Sequence, residues 1–296
     1  MDAVWLCRTG FPTDSTTKLL EIIYKFSIMN FKGKTVLVTG GASGIGKIMA
    51  KKALQRGCKT LIVWDIDEIG AQKIQDEFCE LGGKIFIFKV DISNVDEIRT
   101  NAQKVRTDIG KVDVLINNAG IVVGKFFHEH THEQIQKSMQ INANAAMHIT
   151  LEFLPEMMAE NSGAVCNIAS SAGLISNPKM SVYAASKWAV VGWSDSLRLE
   201  MEQLQKNICF TTIMPFYINT GMFDGVKSRL LPILDPEKTS EKIMKAIESN
   251  RKMLAMPLPY WFIRFSQGTL PLPAFDWVMR NVFGIYDTMK NFKGRS

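Results

Sequence analysis

Tyr183 and Lys187 lie four residues apart in Tyr183-Ala184-Ala185-Ser186-Lys187, and Ser170 stands thirteen residues before the tyrosine. On a helix, positions i and i+4 share one face. An ammonium beside a phenol favours the phenolate and draws its pKa below the ordinary value near ~10. Such a phenol can exchange a proton with an alcohol or a carbonyl near neutral pH. Oxidation of an alcohol also needs a group that orients the oxygen and a hydride acceptor held in contact. Ser170 is the candidate for the first of these, with Ser171 directly behind it. A tyrosine and lysine at this spacing occur on many surface helices, so the pair gains meaning only from what lies upstream.

Upstream, Thr39-Gly40-Gly41-Ala42-Ser43-Gly44-Ile45-Gly46 follows a short apolar run and precedes a helical pattern. Gly40, Gly44 and Gly46 allow a tight turn, a close approach to a pyrophosphate and close packing of helix on strand. The helix N-terminus then offers free N–H groups to phosphates, so Gly40, Ser43, Gly44, Ile45 and Gly46 are candidate cofactor contacts. Asp65 follows the turn by about 20 residues, where an acidic side chain grips a ribose 2′-hydroxyl and repels a 2′-phosphate. Neither Ser43 nor Ile66 supplies a cation in its place. The expected cofactor is NAD, with NADP the alternative.

The elements that must hold these residues alternate. Strands are expected at 34–39, 61–64, 84–90, 112–117, 164–168 and 208–214, and helices at 45–56, 67–81, 95–109, 131–159, 181–205 and 236–249. Alternation of this kind predicts an α/β fold, a doubly wound parallel sheet of the Rossmann type with helices on both faces. Ligands of such sheets bind beyond the carboxyl ends of the strands. Gly40, Asp65, Asp91, Asn118 and Ser170 all fall at or just past expected strand ends, so the fold gathers them at one edge. Residues 216–235 read as a mobile lid.

With these elements in place, the chain closely resembles the short-chain dehydrogenase/reductase family. The resemblance rests on Thr39-Gly40-x-x-x-Gly44-x-Gly46, Asp91, Asn117-Asn118-Ala119-Gly120, Asn142, Ser170, Tyr183-x-x-x-Lys187 and Pro215 to Thr220, in family order over roughly residues 31–250. It implies that Asp91 and Ile92 contact the adenine, and that Asn118 steadies the sheet and the ribose region. Tyr183 would be the acid/base. Lys187 would hold the nicotinamide ribose, Ser170 would bond the substrate oxygen and Asn142 would order a water in a proton relay. Ile218 would reach the carboxamide, with Thr220 beside it. One departure is Phe216, where the family has glycine. A narrower resemblance, carried by Val63-Trp64-Asp65-Ile66 and by Phe283-Gly284-Ile285, Met289, Phe292, Gly294 and Arg295, is to the branch holding retinol dehydrogenases and certain 17β-hydroxysteroid dehydrogenases. That branch implies lipophilic alcohols and contact with membranes or lipid droplets. The family also implies a homodimer or homotetramer formed through the helices at 131–159 and 181–205.

Composition sets the outer bounds. The chain has 296 residues, enough for one large α/β domain, and its 46% apolar content suits a sizeable core. Five scattered cysteines without a C-x-x-C pair argue against a disulfide framework or zinc site and for a reducing, intracellular setting. A net charge of +6 is spread without a basic run, which excludes the usual nucleic-acid signature. Residues 128–133, His-Glu-His-Thr-His-Glu, read as a polar loop before a helix rather than a metal site.

Three segments are expected: an N-terminal extension at 1–30, a dinucleotide-binding catalytic domain at 31–250 and an apolar C-terminal extension at 251–296. The stretch at 19–29 reads as a short amphipathic helix, neither signal peptide nor bilayer span. Prolines 257, 259, 271 and 273 interrupt the apolar tail, which could pack as a small subdomain, wall a substrate pocket or meet a membrane surface. Met222, Phe223, Leu230 and Leu231 in the lid favour a lipophilic substrate. The resulting expectation is hydride transfer between NAD and the alcohol or carbonyl of a retinoid, steroid or long-chain alcohol. An NADP-linked carbonyl reductase and a non-catalytic NAD-binding scaffold are the alternatives; the set Asn142, Ser170, Tyr183 and Lys187 argues against the scaffold.

Overall fold

A computed structural model describes residues 29–294. The expected helix at 19–29 lies, all but Met29, outside these residues, as does Arg295. Seven strands form one parallel sheet. They are β1 (Thr35–Thr39), β2 (Thr60–Asp65), β3 (Lys84–Lys89), β4 (Val114–Asn117), β5 (Gly163–Ile168), β6 (Ile208–Pro215) and β7 (Met253–Met256). Their order across the sheet is β3-β2-β1-β4-β5-β6-β7. Strand β1 pairs with β2 on one side (Val36 beside Leu61) and with β4 on the other (Val36 beside Val114).

Both faces of the sheet are covered, which explains why the strands read as unbroken apolar runs rather than alternating ones. Val36, Val38, Leu61 and Val63 point to a face packed by α1 (Gly44–Gln55), α2 (Glu68–Phe78) and a later helix, α7 (Pro236–Glu248). Leu37, Ile62 and Trp64 point to the other. There α3 (Val95–Asp108), α5 (Ala145–Ala159) and α6 (Ser181–Gln203) pack with Ile98, Phe153 and Leu197. Trp64 is fully buried with its ring centroid 5.8 Å from that of Phe153.

The expected helix at 131–159 is interrupted. Helix α4 (His132–Met139) starts with a capping box, in which Thr131 Oγ1 accepts from Gln134 N and Gln134 Oε1 accepts from Thr131 N, both at 3.3 Å. The histidine-rich run is thus a 3₁₀ turn, Phe127–Glu129, and a helix start. A π-turn at Gln140–Asn144 then separates α4 from α5. The cause lies in Asn142. Its amide bonds the backbone of Ile121 from both ends, Nδ2 donating to the carbonyl at 2.9 Å and Oδ1 accepting from the N–H at 2.8 Å. Such bulges recur at functional sites.

After β6 the lid crosses residues 216–235, pinned where Ile218 bridges Leu234. Asp235 caps α7 by accepting from Lys238 N at 2.7 Å, with Pro236 in the first turn. The boundary expected at 250 falls before β7, which pairs with β6 as the edge strand of the same sheet. Beyond it come α8 (Tyr260–Thr269) and α9 (Leu272–Trp277), each begun by a proline, and two irregular turns at Val278–Val282 and Ile285–Asp287. Among the described residues, no helix is long and apolar enough to cross a membrane.

Candidate active site

Because every strand runs the same way, Thr39, Asp65, Asn117, Ile168 and Pro215 end on one edge. The chain leaves β1 through Gly40 at φ +64° and enters α1 at Gly44, φ +57°. A Cβ on Gly40 would lie 2.8 Å from Ala119 Cα, and one on Gly46 would run into the Gly40 carbonyl. These two glycines seat the turn against the end of β4. At Gly44 the nearest atoms to a Cβ belong to Thr220 of the lid, 3.7 Å away, so the missing side chain leaves room on the open side. Asn118 Nδ2 donates to the carbonyls of Thr39 at 2.9 Å and Gly40 at 3.1 Å, tying β4 to the turn. The Asp65 carboxylate accepts from Ala42 N at 2.8 Å and Asp67 N at 3.0 Å, which fixes it beside the same turn. Asp91 Oδ1 accepts from Ser93 N and Oγ at 2.9 and 2.7 Å.

One cleft of about 310 Å³ joins these residues to the reactive pair. Gly40, Ser43, Gly44, Ile45, Gly46, Asp65, Asp91, Ile92, Asn118, Ser170, Tyr183, Lys187, Ile218 and Thr220 all line it, with Met222 and Phe223 of the lid. The cleft suits a dinucleotide: a helix N-terminus at one point, a fixed carboxylate at another, and glycines where side chains would intrude. Lys187 is the only lysine or arginine among the described lining residues, so no cation beside Asp65 offsets its repulsion of a 2′-phosphate.

At the other end of the cleft, Tyr183 and Lys187 stand on α6, both buried. Burial pushes the Tyr183 phenol up to about 12; the neighbouring Ser170 hydroxyl pulls the other way, and Tyr217 adds to the rise. Burial also pushes the Lys187 ammonium down to about 8. The tyrosine thus stands above its ordinary value rather than below it as expected: Lys187 Nζ sits 5.8 Å from the Tyr183 ring centroid and donates to the Ile168 carbonyl at 2.9 Å, and burial dominates.

Asn142 is the one predicted residue that does not line the cleft; it borders a small buried void behind it. Its amide also donates to Ser186 Oγ at 3.2 Å, and Ser186 in turn donates to the Tyr183 carbonyl at 2.7 Å. It still reaches the site through Gly120. A Cβ there would lie 3.1 Å from Asn142 Oδ1 and 3.7 Å from Lys187 Nζ, so both groups face one small gap.

Phe216, the departure from the family pattern, has its ring centroid 4.5 Å from that of Tyr217 and lines both the cleft and a second, apolar chamber of about 40 Å³. The chamber also shares Ser170 and Phe223 with the cleft. Its polar members Asn177 and Tyr217, and Thr288 behind them, carried no recognisable spacing in the sequence.

A cleft that holds a dinucleotide against a buried tyrosine and lysine on a parallel α/β sheet is the site of a nicotinamide-dependent oxidoreductase. The short chain dehydrogenase family matches residues 34–230, and the chain belongs to it. Among curated relatives, epidermal retinol dehydrogenase 2 of Mus musculus is 35% identical over 271 residues, covering 90% of this chain and 87% of the relative. Estradiol 17-beta-dehydrogenase 11 of Macaca fascicularis is 33% identical over 262 residues, covering 88% and 87%. In fold, the chain is similar to a short chain dehydrogenase/reductase from Burkholderia phymatum in complex with NAD (TM-score 0.74, 24% identity, 82% of this chain and 99% of that one). It is also similar to a short-chain dehydrogenase from Sphingobium yanoikuyae in complex with NADPH (TM-score 0.72, 23% identity, 84% and 96%).

Proposed function

We propose that the chain moves a hydride between NAD and a lipophilic alcohol or carbonyl compound. The observation that carries this is that Ser170 and Tyr183 line the dinucleotide cleft together, and that Ser170, Phe216 and Phe223 also line the apolar chamber. Bound NAD would supply the hydride acceptor for alcohol oxidation. Ser170 would hold the substrate oxygen by a hydrogen bond, and Tyr183 would take or give its proton. At rest the phenol is protonated, the form that donates to a carbonyl. Lys187 would bind the nicotinamide ribose, and its ammonium would favour the phenolate once a proton must leave. Asn142 Oδ1 and Lys187 Nζ both lie beside Gly120, where a relay water would bridge them. Asp65 would bond the adenosine ribose, Asp91 and Ile92 the adenine, the glycine turn with Ser43 and Ile45 the pyrophosphate, and Ile218 and Thr220 the carboxamide end.

A retinoid, steroid or long-chain alcohol is the substrate class, supported by the names of the relatives and by Met180, Met214, Met256 and Leu258 lining the chamber. In this reading residues 31–250 hold the cofactor and the reacting groups, and 251–294 close the sheet edge and the chamber. Two surfaces extend the reading. Exposed Leu151 on α5 and Leu199 on α6 suit a homodimer through those helices. On α8 and α9, Trp261, Phe265, Leu272 and Trp277 are exposed near Arg264, as suits peripheral contact with an intracellular membrane or lipid droplet.

The test is a panel of alcohols of rising apolar size, with NAD or NADP and purified protein, read by absorbance of the reduced cofactor. Turnover with NAD at least tenfold above NADP, rising with apolar size, is expected. Equal use of both cofactors would remove the NAD assignment, and no turnover on any alcohol or carbonyl would favour the scaffold.

A further inference from the structure

The segment entering α6 and the segment leaving β6 are both bonded to one hydroxyl of the C-terminal tail. Asn177, just before α6, donates from Nδ2 to Tyr217 Oη and to Thr288 Oγ1, each at 2.8 Å. The Tyr217 and Thr288 hydroxyls are 2.9 Å apart. Thr288 Oγ1 gives its own proton to the Ile285 carbonyl at 2.8 Å, so it accepts from both Asn177 and Tyr217. Thr288 is 1% exposed, and solvent takes no share in these bonds.

Tyr217 carries this placement toward the reacting tyrosine. Its ring centroid lies 4.5 Å from that of Phe216 and 4.9 Å from that of Phe223, and both of these rings line the cleft. Phe223 in turn packs edge-on to Tyr183, with centroids 6.1 Å apart. The tail that supplies Thr288 is itself anchored along its length. The Thr288 carbonyl accepts from Lys227 N at 3.3 Å, and the Asp224 carbonyl accepts from Lys293 N at 2.9 Å. A Cβ on Gly225 would run into the Asn291 carbonyl, and one on Gly124 would run into the Phe292 ring. Residues 288–293 thus grip the lid, the loop after β4 and the approach to α6 at once.

We infer that Thr288 is a positioning residue for hydride transfer: its hydroxyl holds Tyr217, and with it Phe216 and Phe223, in fixed relation to the α6 segment that carries Tyr183. This rests on the proposed function for the reacting groups. Without the hydroxyl, two buried donors, one N–H of Asn177 and the Tyr217 phenol, lose their acceptor, and such groups shift to find another. Small displacements of this kind slow a reaction whose partners must be held in contact.

The experiment compares the wild type with Thr288→Val, which removes the hydroxyl at nearly constant volume, and with Thr288→Ser, which keeps it. Two readouts are taken on the full chain with NAD: kcat and KM for the oxidation of octanol, and hydrogen exchange of residues 176–183 and 216–228. Thr288→Val is expected to lower kcat about tenfold or more while KM for NAD stays within about threefold. Exchange should quicken about fivefold or more in both segments and stay unchanged in β1. Thr288→Ser should retain most of the wild-type behaviour in both readouts. A Thr288→Val protein with wild-type kcat, or with wild-type exchange in either segment, would overturn the inference, as would a Thr288→Ser protein as impaired as the valine variant. If Thr288→Val does not fold, Phe292→Leu, which loosens the same tail at Gly124, should show smaller changes in both readouts, and no change in either would overturn the inference. A wild type that turns over neither octanol nor any other alcohol removes the catalytic reading alone, and the exchange arm then decides whether Thr288 holds the two segments.

Discussion

In the turn between β1 and α1, geometry is set by backbone. Gly40 and Gly46 are confined by a Cα and a carbonyl oxygen, and Asn118 bonds two main-chain carbonyls. In the chamber beyond Phe216, geometry is set by side chains: Asn177, Tyr217 and Thr288 meet from segments as much as 111 residues apart. The first arrangement tolerates almost no change and serves a ligand that does not vary. The second can be altered one side chain at a time, which is what a substrate pocket requires if related enzymes are to differ in what they accept. Ser170, Phe216 and Phe223 stand where the two meet, with Tyr183 beside them on the cleft side.

The largest expected effect lies at that meeting point. Tyr183→Phe should lower kcat by roughly 10³-fold or more while NAD binding, followed by protein fluorescence, stays within about twofold. A variant that keeps most of its activity would show that the tyrosine is not the proton-transfer group.

Lys187 gives the next effect, visible in stability. Its folded pKa is about 8 against an ordinary 10.5. Below pH 8 both states carry the proton and the burial penalty is present in full. Between pH 8 and 10.5 the folded state sheds it first, the unfolded state holds more protons, and stability rises with pH. The difference in unfolding free energy between wild type and Lys187→Met should therefore grow in favour of the wild type by about 3 kcal/mol across that window. Tyr183, raised from 10 to about 12, pulls the opposite way only near the top of that window. Denaturant titrations at several pH values check this, and a flat difference would contradict it.

In the backbone-built half, Gly46→Ala should cost about 1–3 kcal/mol and weaken NAD binding about tenfold or more, because the methyl meets the Gly40 carbonyl. On the exposed face of α8 and α9, away from both regions, Trp261→Ser with Leu272→Ser should change stability by only about 0.5 kcal/mol, yet should reduce flotation with anionic liposomes. Retained flotation would leave the α8–α9 surface without a lipid role.

The same contrast explains what could be read from the chain. The glycine turn, Asp65 and the Tyr183–Lys187 pair are local patterns tied to strand ends, and the parallel sheet brings them together as expected. Strand β7 escaped notice because four residues, Met-Leu-Ala-Met, carry little β-branching and sit inside an apolar tail. The π-turn escaped because its cause is a tertiary bond from Asn142 to Ile121, invisible to helical periodicity. The tyrosine's upward shift escaped because burial, not the spacing to Lys187, decides it.

Thr288 and Ile285 also fix an order of events during synthesis. The glycine turn, Asp65 and Tyr183 all leave the ribosome more than a hundred residues before Thr288, and the wall it completes is built last. The residues that line the dinucleotide cleft thus all precede, in the chain, the segment that completes the chamber wall.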